Sequence, residues 1–396
     1  ARPAIMASLW ARHGLSALLA ANAVLLLSLL LKPQVLKLEW SRRKRLSLIT
    51  PKMLHFSQGT LQARCRLLLQ DAGLESGAAA IVADALVSAQ RDGKVAHGLG
   101  RLPAILTSIR SGTVSGSARP SLTSVAPGIL RSDAQGGLAM SAFAAGLPVL
   151  ASTAQELGLC MLAVVGCRGI VGSLWAPLEQ LAAQNGLIGI ACCNSPPFLT
   201  TTGGKSRVFG TNPLAFAWPR TDGRPPVVID MATSRISRGD MELAARLGEA
   251  LPPGAALDVD GMPTVDAAAG LKGTQLPFGG HKGAALALAV ELLGSALLGT
   301  DLAIDAESSA AGMNRGVFFL AIDPSRLSQT ALAQAERLFS AMQRDEGVRL
   351  PADSRYRARA AAAEHGVQVD AVLAEECFGA DFVRADAGPV VPVGLV

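Results

Sequence analysis

The chain has 396 residues, a length sufficient for two domains with well-buried cores. Half of its residues are hydrophobic and only 17% are charged, which excludes an intrinsically disordered protein. The net charge of +5 depends on a basic cluster near residues 32–45, and the single tyrosine with scattered phenylalanines argues against a stacking surface for nucleic acid.

The first 52 residues differ in composition from the rest of the chain. Residues 14–31 carry no charge, and this run is just long enough for a tilted membrane span. If it is a membrane anchor, the basic cluster that follows predicts that the remainder lies in the cytoplasm. A signal peptide is disfavoured because the basic residues follow the apolar run rather than precede it. Upstream sequence translated from a wrong start is a third interpretation, since Met53 directly precedes the first globular pattern.

The next segments predict helices, then strands. Apolar residues at three- and four-residue spacing predict two helices within 57–90 and a third at 101–112. A long helix of small residues is expected from Gly136 to Gly158, and its glycines suit close packing rather than phosphate binding. Short apolar runs predict strands at 159–165 and 187–193, with two more between 207 and 234.

The C-terminal part continues this mixed pattern. Residues 282–298 predict a strongly apolar helix, residues 316–324 predict another strand, and two charged helical segments extend to about Cys377. Residues 379–396 are expected to form an irregular tail.

Several common chemistries are excluded by their missing motifs. The six cysteines include no CxxC pair and no disulfide framework, and neither HExxH nor another metal-ligand spacing occurs. No GxGxxG follows a predicted strand, and the P-loop and the GxSxG elbow are also absent. A metal site and a Rossmann cofactor site are therefore not expected.

Polar residues in turn-rich or apolar settings are the remaining candidates for chemistry. They are His97 and Arg101 in "AHGLGRLP", Thr211 in "GTNP", Asp230 in "IDMATS", Asp240 in "RGD", and His281 with Lys282 in "FGGHKG". The last pair stands at a helix start, a position suited to anion binding. Each of these residues taken alone is more often structural than catalytic.

The ordered set of these stretches resembles the malate/L-lactate dehydrogenase family of the non-Rossmann type. The resemblance runs from about residue 56 to 378 with consistent spacing. Within the family, "LWAPLE" (174–179), "VFGTNPLAF" (208–216) and "LPFGGHKG" (276–283) look closest to the Δ1-piperideine-2-carboxylate/Δ1-pyrroline-2-carboxylate reductases. The malate and lactate members usually carry GGYKG and lack the LW pair.

The resemblance implies an α+β fold with a non-Rossmann nicotinamide-binding domain that contains a mostly antiparallel sheet. It also implies a helical domain built from both chain ends, a homodimer, and NADP or NAD as cofactor. We accordingly expect a helical dimerisation domain at 53–115 with 323–378, and a cofactor-binding domain at 116–322. Residues 1–52 form an extension and 379–396 a tail in this division, and the folded protein is expected in the cytoplasm.

The resemblance also implies roles for individual residues. His97 corresponds to a proton-donating histidine, Asp240 to the acid that orients it, Arg101 to the arginine that binds the substrate carboxylate, and Thr211 to a substrate-contacting threonine. Implied cofactor contacts are Gly172, Ser173, Leu174, Ile229, Asp230, Met231, His281, Lys282, Asn314 and Arg315. The implied activity is reduction of a cyclic imino acid or a 2-oxo acid.

Elementary chemistry agrees with these roles. Reducing a ketone develops charge on oxygen, so an acid with a pKa near 7 helps, and for an imine the same group would protonate or hold the nitrogen. A carboxylate hydrogen-bonded to the imidazole would raise its pKa and fix its tautomer. An arginine can hold a carboxylate through two parallel hydrogen bonds.

The sequence departs from the family pattern at two places. Ala96 stands where the family has a serine before the histidine, and Ile170 with Val171 replaces a histidine–phenylalanine pair that lies by the nicotinamide in relatives. These replacements leave three functions open: an imino acid reductase, a malate/L-lactate-type dehydrogenase of 2-hydroxy acids, and a non-catalytic binding protein. Arg168 is close enough in sequence to compensate for the lost histidine, although a solvated surface role is the simpler interpretation.

Overall fold

A computed structural model of the chain describes residues 52–306 and 312–386. The apolar run at 14–31 and the interpretations attached to it lie outside these residues. Within the described ranges, every helix is too short or too polar to cross a lipid bilayer.

The described residues alternate between helices and strands. The helices are α1 Gln58–Asp71, α2 Ser76–Arg91, α3 Leu102–Arg110, α4 Ala139–Leu157, α5 Trp175–Asn185, α6 Arg238–Leu247, α7 Ala267–Lys272, α8 His281–Glu291, α9 Ala331–Met342, α10 Asp353–His365, α11 Ala371–Phe378 and α12 Ala380–Asp386. The strands are β1 Met53–Phe56, β2 Ser121–Ala126, β3 Ile129–Asp133, β4 Leu159–Cys167, β5 Ile188–Cys193, β6 Leu214–Trp218, β7 Val227–Met231, β8 Ala256–Leu257, β9 Pro263–Thr264, β10 Thr274–Gln275, β11 Arg315–Ile322 and β12 Val367–Asp370.

The largest sheet has seven strands in the order β2-β3-β4-β11-β5-β6-β7. Five of its six neighbouring pairs are antiparallel, and only β3 with β4 runs parallel. The expectation of a mixed α and β protein with a mostly antiparallel sheet is therefore confirmed. Two smaller sheets join β1 with β12 and β8 with β9 and β10.

Helices cover both faces of the seven-stranded sheet, because successive strand residues point to opposite sides. On β11, Val317 and Phe319 face a core shared with α4 and α5, whereas Phe318 faces Val290 of α8. The small residues of α4 permit a close approach: a Cβ on Gly146 would lie 2.7 Å from Leu162 Cδ2. The predicted role of these small residues in packing is thus confirmed.

A second core is built from residues near both ends of the described chain. Buried side chains of α1, α2 and α3 pack with those of β12 and α11. Strand β1 pairs with β12 in antiparallel register, so Met53 lies opposite Asp370. By contrast, Phe339 of α9 packs against Val227 of the large sheet.

The structure differs from the sequence prediction at the hairpin of β2 and β3 and at the tail. The sequence analysis missed β2 because its Ser- and Thr-rich strand lies at the sheet edge with no fully buried residue, so it lacks a hydrophobic period. The expectation of an irregular tail is wrong for Ala380–Asp386, which is helical. Phe382 there stacks on Phe56, a contact between distant parts of the chain, and residues 387–396 lie outside the described ranges.

All six cysteines are buried and unpaired, as expected from the lack of a disulfide framework. No cluster of metal-binding side chains occurs in the part of the chain that the structure describes.

Candidate active site

His97 ends a short 3-10 turn, Val95–His97, that follows α2. Its backbone N–H donates to the carbonyl of Lys94 at 2.8 Å, which closes the turn. The imidazole packs edge-on against Trp175, with ring centroids 5.3 Å apart at 76°. Since Trp175 is the first residue of α5, the candidate histidine faces the end of the predicted cofactor loop.

Arg101 lies one turn further along, just before α3. Its Nε donates to the carbonyl of Ala96 at 2.6 Å, and its Nη1 donates to Glu242 Oε2 at 3.3 Å. The start of α6 packs closely here: a Cβ on Gly239 would lie 2.6 Å from Ala96 Cβ and 2.9 Å from Arg101 Nη2. The glycine therefore permits the close approach of α6 to the turn that carries His97.

Asp240 is in the first turn of α6, where its backbone N–H donates to the Ser237 hydroxyl at 3.0 Å. Its carboxylate is exposed and forms no hydrogen bond with the His97 ring within residues 52–306 and 312–386. The structure thus brings Asp240 near His97 electrostatically, but without the hydrogen bond that the sequence analysis expected.

The pKa of His97 also differs from the expected value near 7. Although His97 is exposed at the surface of this chain, the protein packed around its ring disfavours the charged form. This desolvation, reinforced by the positive charges of Arg101 and Lys94, lowers the pKa of His97 to about 4, while Asp240 opposes the shift. A pKa this low leaves the imidazole neutral at pH 7.

Asp230 is the penultimate residue of β7, and its carboxylate caps the start of α5. Its Oδ2 accepts from the backbone N–H of Trp175 at 3.0 Å, and the N–H of Leu174 also bonds this carboxylate. Burial raises the pKa of Asp230 to about 6, partly offset by these N–H donors and by the charge of Arg355. Gly172, with φ of +92°, precedes this contact and lies against Met140.

Arg355 and Trp175 are features of this region to which the sequence analysis gave no role. Arg355 comes from α10, is 6% exposed, and lies 5.4 Å over the Trp175 ring while donating to the carbonyl of Val228. No sequence signal distinguishes Arg355, because it is one of several arginines on a predicted charged helix. Trp175 was noted only as part of the LW pair.

The other two residues of the predicted β7 segment lie beside Asp230. Ile229 pairs with Phe216 and Met231 with Leu214 across β6, and Met231 is exposed. Strand β7 therefore presents the end that carries Asp230 and Met231 next to the loop of Gly172, Ser173 and Leu174.

Thr211 lies in a turn that is hydrogen-bonded to the segments after β5 and β7. Its backbone N–H donates to Ser195 Oγ at 3.0 Å, and its carbonyl accepts from the backbone and hydroxyl of Thr233. The Thr233 carbonyl in turn accepts from Phe278, just before α8. His281 and Lys282 are the exposed first residues of α8, so this chain of bonds connects them with Thr211 and not directly with His97.

Asn314 and Arg315 occupy the start of β11. The Arg315 guanidinium donates to the carbonyls of Gly169 and Asn194, at 2.7 Å and 2.9 Å for the shortest bonds. Burial lowers the pKa of Arg315, and the charge of Arg101 contributes in the same direction. Asn314 Oδ1 is buried without a hydrogen-bond partner among the described residues, so it is an acceptor available to a bound molecule.

A cavity of about 650 Å³ opens between α2, α4 and α5. Ser173 is the one predicted site residue among those that line it. His97 and Arg101 are not among its lining residues, so this cavity is separate from the predicted catalytic group.

Comparison with known proteins identifies the family of the chain. The model of the malate/L-lactate dehydrogenase family matches residues 56–377. A Δ1-pyrroline-2-carboxylate/Δ1-piperideine-2-carboxylate reductase from Pseudomonas aeruginosa is 42% identical over 74% of this chain and 90% of that protein. A (2R)-3-sulfolactate dehydrogenase (NADP(+)) from Chromohalobacter salexigens is 41% identical over 74% and 87%.

A solved structure shows the same fold. The Δ1-piperideine-2-carboxylate reductase from Pseudomonas syringae pvar. tomato superposes with a TM-score of 0.74 at 35% identity, covering 82% of this chain and 98% of that one. The family match spans nearly all of the described residues and includes both the His97 turn and the start of α6. The chain therefore belongs to the malate/L-lactate dehydrogenase family.

Proposed function

We propose that the protein is an NAD(P)H-dependent oxidoreductase that reduces a cyclic imino acid of the Δ1-pyrroline-2-carboxylate or Δ1-piperideine-2-carboxylate type to the L-amino acid. The observation that carries this proposal is the placement of His97 and Arg101 on one surface, between the start of α5 and the start of α6. An acid–base group and a carboxylate-binding group then stand together beside the predicted cofactor loop.

The neutral state of His97 favours an imine over a ketone. A ketone needs a proton at its oxygen as hydride arrives, whereas a protonated imine already carries its proton on nitrogen. A neutral imidazole accepts a hydrogen bond from that N–H and holds the C=N group in place. Since desolvation by the surrounding protein and nearby cations keep the pKa of His97 low, the site suits this second case.

Arg101 is the group proposed to bind the substrate carboxylate. Its Nε is held by the Ala96 carbonyl, and its contact with Glu242 is long and half-exposed. A substrate carboxylate can therefore take the Nη1–Nη2 edge and form two parallel charge-assisted hydrogen bonds. Thr211 is proposed to contact the substrate through its hydroxyl group.

The residues around β7 and β11 fit a nicotinamide cofactor, which when bound supplies the hydride. Asn314 Oδ1 offers a buried acceptor without a partner, and the loop of Gly172, Ser173 and Leu174 lies at the start of α5. Asp230 fixes this loop by accepting from its N–H groups. Ile229, Met231, Arg315, His281 and Lys282 complete the proposed cofactor-binding set.

The larger organisation is also part of the proposal. We assign residues 116–322 to the cofactor-binding domain, and residues 53–115 with 323–378 to a helical domain that forms a homodimer in the cytoplasm. Sedimentation analysis of the purified chain tests the dimer.

The proposed function is tested by oxidation of NADPH and NADH with Δ1-piperideine-2-carboxylate, Δ1-pyrroline-2-carboxylate, pyruvate and oxaloacetate in parallel. The highest kcat/KM is expected with a cyclic imino acid. A preference for a 2-oxo acid would assign the chain to 2-hydroxy acid chemistry instead. If no substrate is reduced while the cofactor still binds, the chain is a binding protein.

A further inference from the structure

Two arginines share one carboxylate beside the proposed substrate position. Glu242 Oε2 accepts from Arg101 Nη1 at 3.3 Å, and Glu242 Oε1 accepts from Arg238 Nε at 3.3 Å. Arg238 and Glu242 lie on α6, whereas Arg101 lies just before α3. Arg101 and Glu242 are 141 residues apart in sequence.

Both arginines have other contacts that hold them in place. Arg238 lies 4.4 Å over the ring of Phe198 and donates to the carbonyl of Leu271, while Arg101 donates to Ala96. Glu242 forms no other hydrogen bond or ion pair in the described part of the chain, and its side chain is 42% exposed. The carboxylate is therefore the movable member of the three.

The charges around this carboxylate are predominantly positive. The pKa of Arg238 is lowered by burial and by the charges of Arg207 and Arg101, and Glu242 opposes this shift. The guanidinium of Arg207 is already engaged by backbone carbonyls at the end of α7. Asp240 is also on α6, but it forms no ion pair with either arginine among the described residues.

We propose that Glu242 is a specificity-determining residue that restricts the site to substrates with a single acid group; this inference rests on the proposed function. Glu242 neutralises Arg238 and contacts only Nη1 of Arg101. Arg101 is therefore the one arginine of the pair that is left to bind a substrate carboxylate. A second acid group meets the negative charge of Glu242, and like charges placed together weaken binding strongly.

The positions of Arg101 and Arg238 also predict how removing the Glu242 charge changes substrate binding. Because Arg101 and Arg238 are close enough to share Glu242, they are close enough to bind the two acid groups of one small diacid. Glu242→Gln keeps the size of the side chain but removes the competing charge. The variant is therefore expected to favour diacids over monoacids more than the wild type does.

The experiment compares the wild type with Glu242→Gln, Glu242→Asp and the control Glu249→Gln, which changes an exposed carboxylate just after the same helix. Kinetics are measured with Δ1-piperideine-2-carboxylate, pyruvate and oxaloacetate. The ratio of kcat/KM for oxaloacetate to that for pyruvate is expected to rise at least about tenfold in Glu242→Gln only. Glu242→Asp, which keeps the charge, is expected to retain the wild-type preference.

A binding measurement separates this inference from the proposed reaction. Dissociation constants for L-lactate and L-malate, which differ by one carboxylate, are measured from tryptophan fluorescence without turnover. Tighter L-malate binding in Glu242→Gln supports the inference even if the wild type reduces no imino acid, a result that would defeat the proposed function alone. An unchanged L-malate to L-lactate ratio, or equal loss of both ligands, would overturn the role of Glu242.

Discussion

At the scale of single residues, the proposed reaction depends on the protonation state of His97. Three charges act on the ring. Asp240 raises the pKa of His97, but by less than desolvation, Arg101 and Lys94 together lower it. The sequence suggested an acid with a pKa near 7, whereas the structure provides a neutral imidazole. A neutral histidine is suited to hold a protonated imine and poorly suited to protonate a ketone.

Replacing His97 tests this role directly. His97→Ala is expected to lower kcat/KM for the imino acid by roughly 10²–10⁴, the usual contribution of a positioned acid or base. Because Asp240 is proposed to act through His97, adding Asp240→Asn to His97→Ala is expected to lower kcat/KM little further. Steady-state kinetics of the two single variants and the double variant measure this. Full turnover by His97→Ala would exclude His97 from the reaction.

The pH dependence gives a second test at this scale. If neutral His97 is the active form, the acidic limb of kcat/KM for the imino acid lies near pH 4, where the imidazole becomes charged. Asp240→Asn removes the charge that favours imidazolium, so the acidic limb is expected to move to lower pH. Glu249→Gln serves as the control on the same part of the chain. A shift to higher pH in Asp240→Asn would contradict the electrostatic relation between the two residues.

At the scale of elements, the site depends on how closely α6 approaches the 3-10 turn of His97. A Cβ at Gly239 would overlap Ala96 and the Arg101 guanidinium, at 2.6 Å and 2.9 Å. Gly239→Ala therefore forces the turn or the helix to move. We expect roughly a tenfold to hundredfold loss of kcat/KM, since a displacement of about 1 Å in a positioning group has effects of this size.

Gly59→Ala is the matched control for this change, because Gly59 is also helical and the nearest atom to its added Cβ is 4.0 Å away. It is expected to retain wild-type kinetics. Equal activity of Gly239→Ala and Gly59→Ala, measured on folded proteins with the same circular dichroism, would show that the contact is not needed.

A partly buried ion-pair network around Asp92 connects α2, α5 and α10. Asp92 is 2% exposed at its side chain and accepts from Arg359 at 2.6 Å and from Arg91 at 2.9 Å, while Arg359 also pairs with Glu179 at 2.5 Å. Removing one partner of such a group leaves a buried charge without full compensation.

Arg359→Met is consequently expected to lower the free energy of unfolding by on the order of 3 kcal/mol. Urea denaturation measures the change. Arg357→Met on the same helix is the control, because Arg357 is exposed and takes part in no ion pair within the described ranges. A loss of equal size in both variants would mean that the network contributes nothing specific.

At the scale of the whole molecule, the two ends of the folded region depend on each other. Strand β1 completes a sheet with β12, and Leu54 and Phe56 are 4% and 2% exposed in the core of the helical region. A chain that starts at Met53 keeps these contacts, whereas a chain that starts at Ser57 loses them.

We expect the chain from Met53 to match the full chain in Tm and kcat/KM. The chain from Ser57 is expected to lose about 3–6 kcal/mol of stability, the usual value for two buried large side chains. Thermal and urea unfolding of both chains measure these effects. Aggregation of the Met53 chain, with recovery of the full chain only in detergent, would contradict the expectation and favour a membrane anchor at 14–31.

The sequence by itself determined the family, the main helices and the central strands. Their hydrophobic periods are strong because α2, α4, β4 and β11 each bury a face or a whole strand, and such burial leaves a local pattern. His97, Arg101 and Asp240 were selected on the ordered motifs around them. These motifs are local in sequence, so they can be recognised without knowledge of the fold.

Only the tertiary structure decided how the selected residues act. The low pKa of His97 arises from the protein packed around it and from neighbouring cations, and the shared carboxylate of Glu242 joins residues 141 positions apart. Arg355 over Trp175 and Phe382 on Phe56 likewise join distant segments. Desolvation and long-range charge depend on distances in space, and a linear pattern of residues carries no record of those distances.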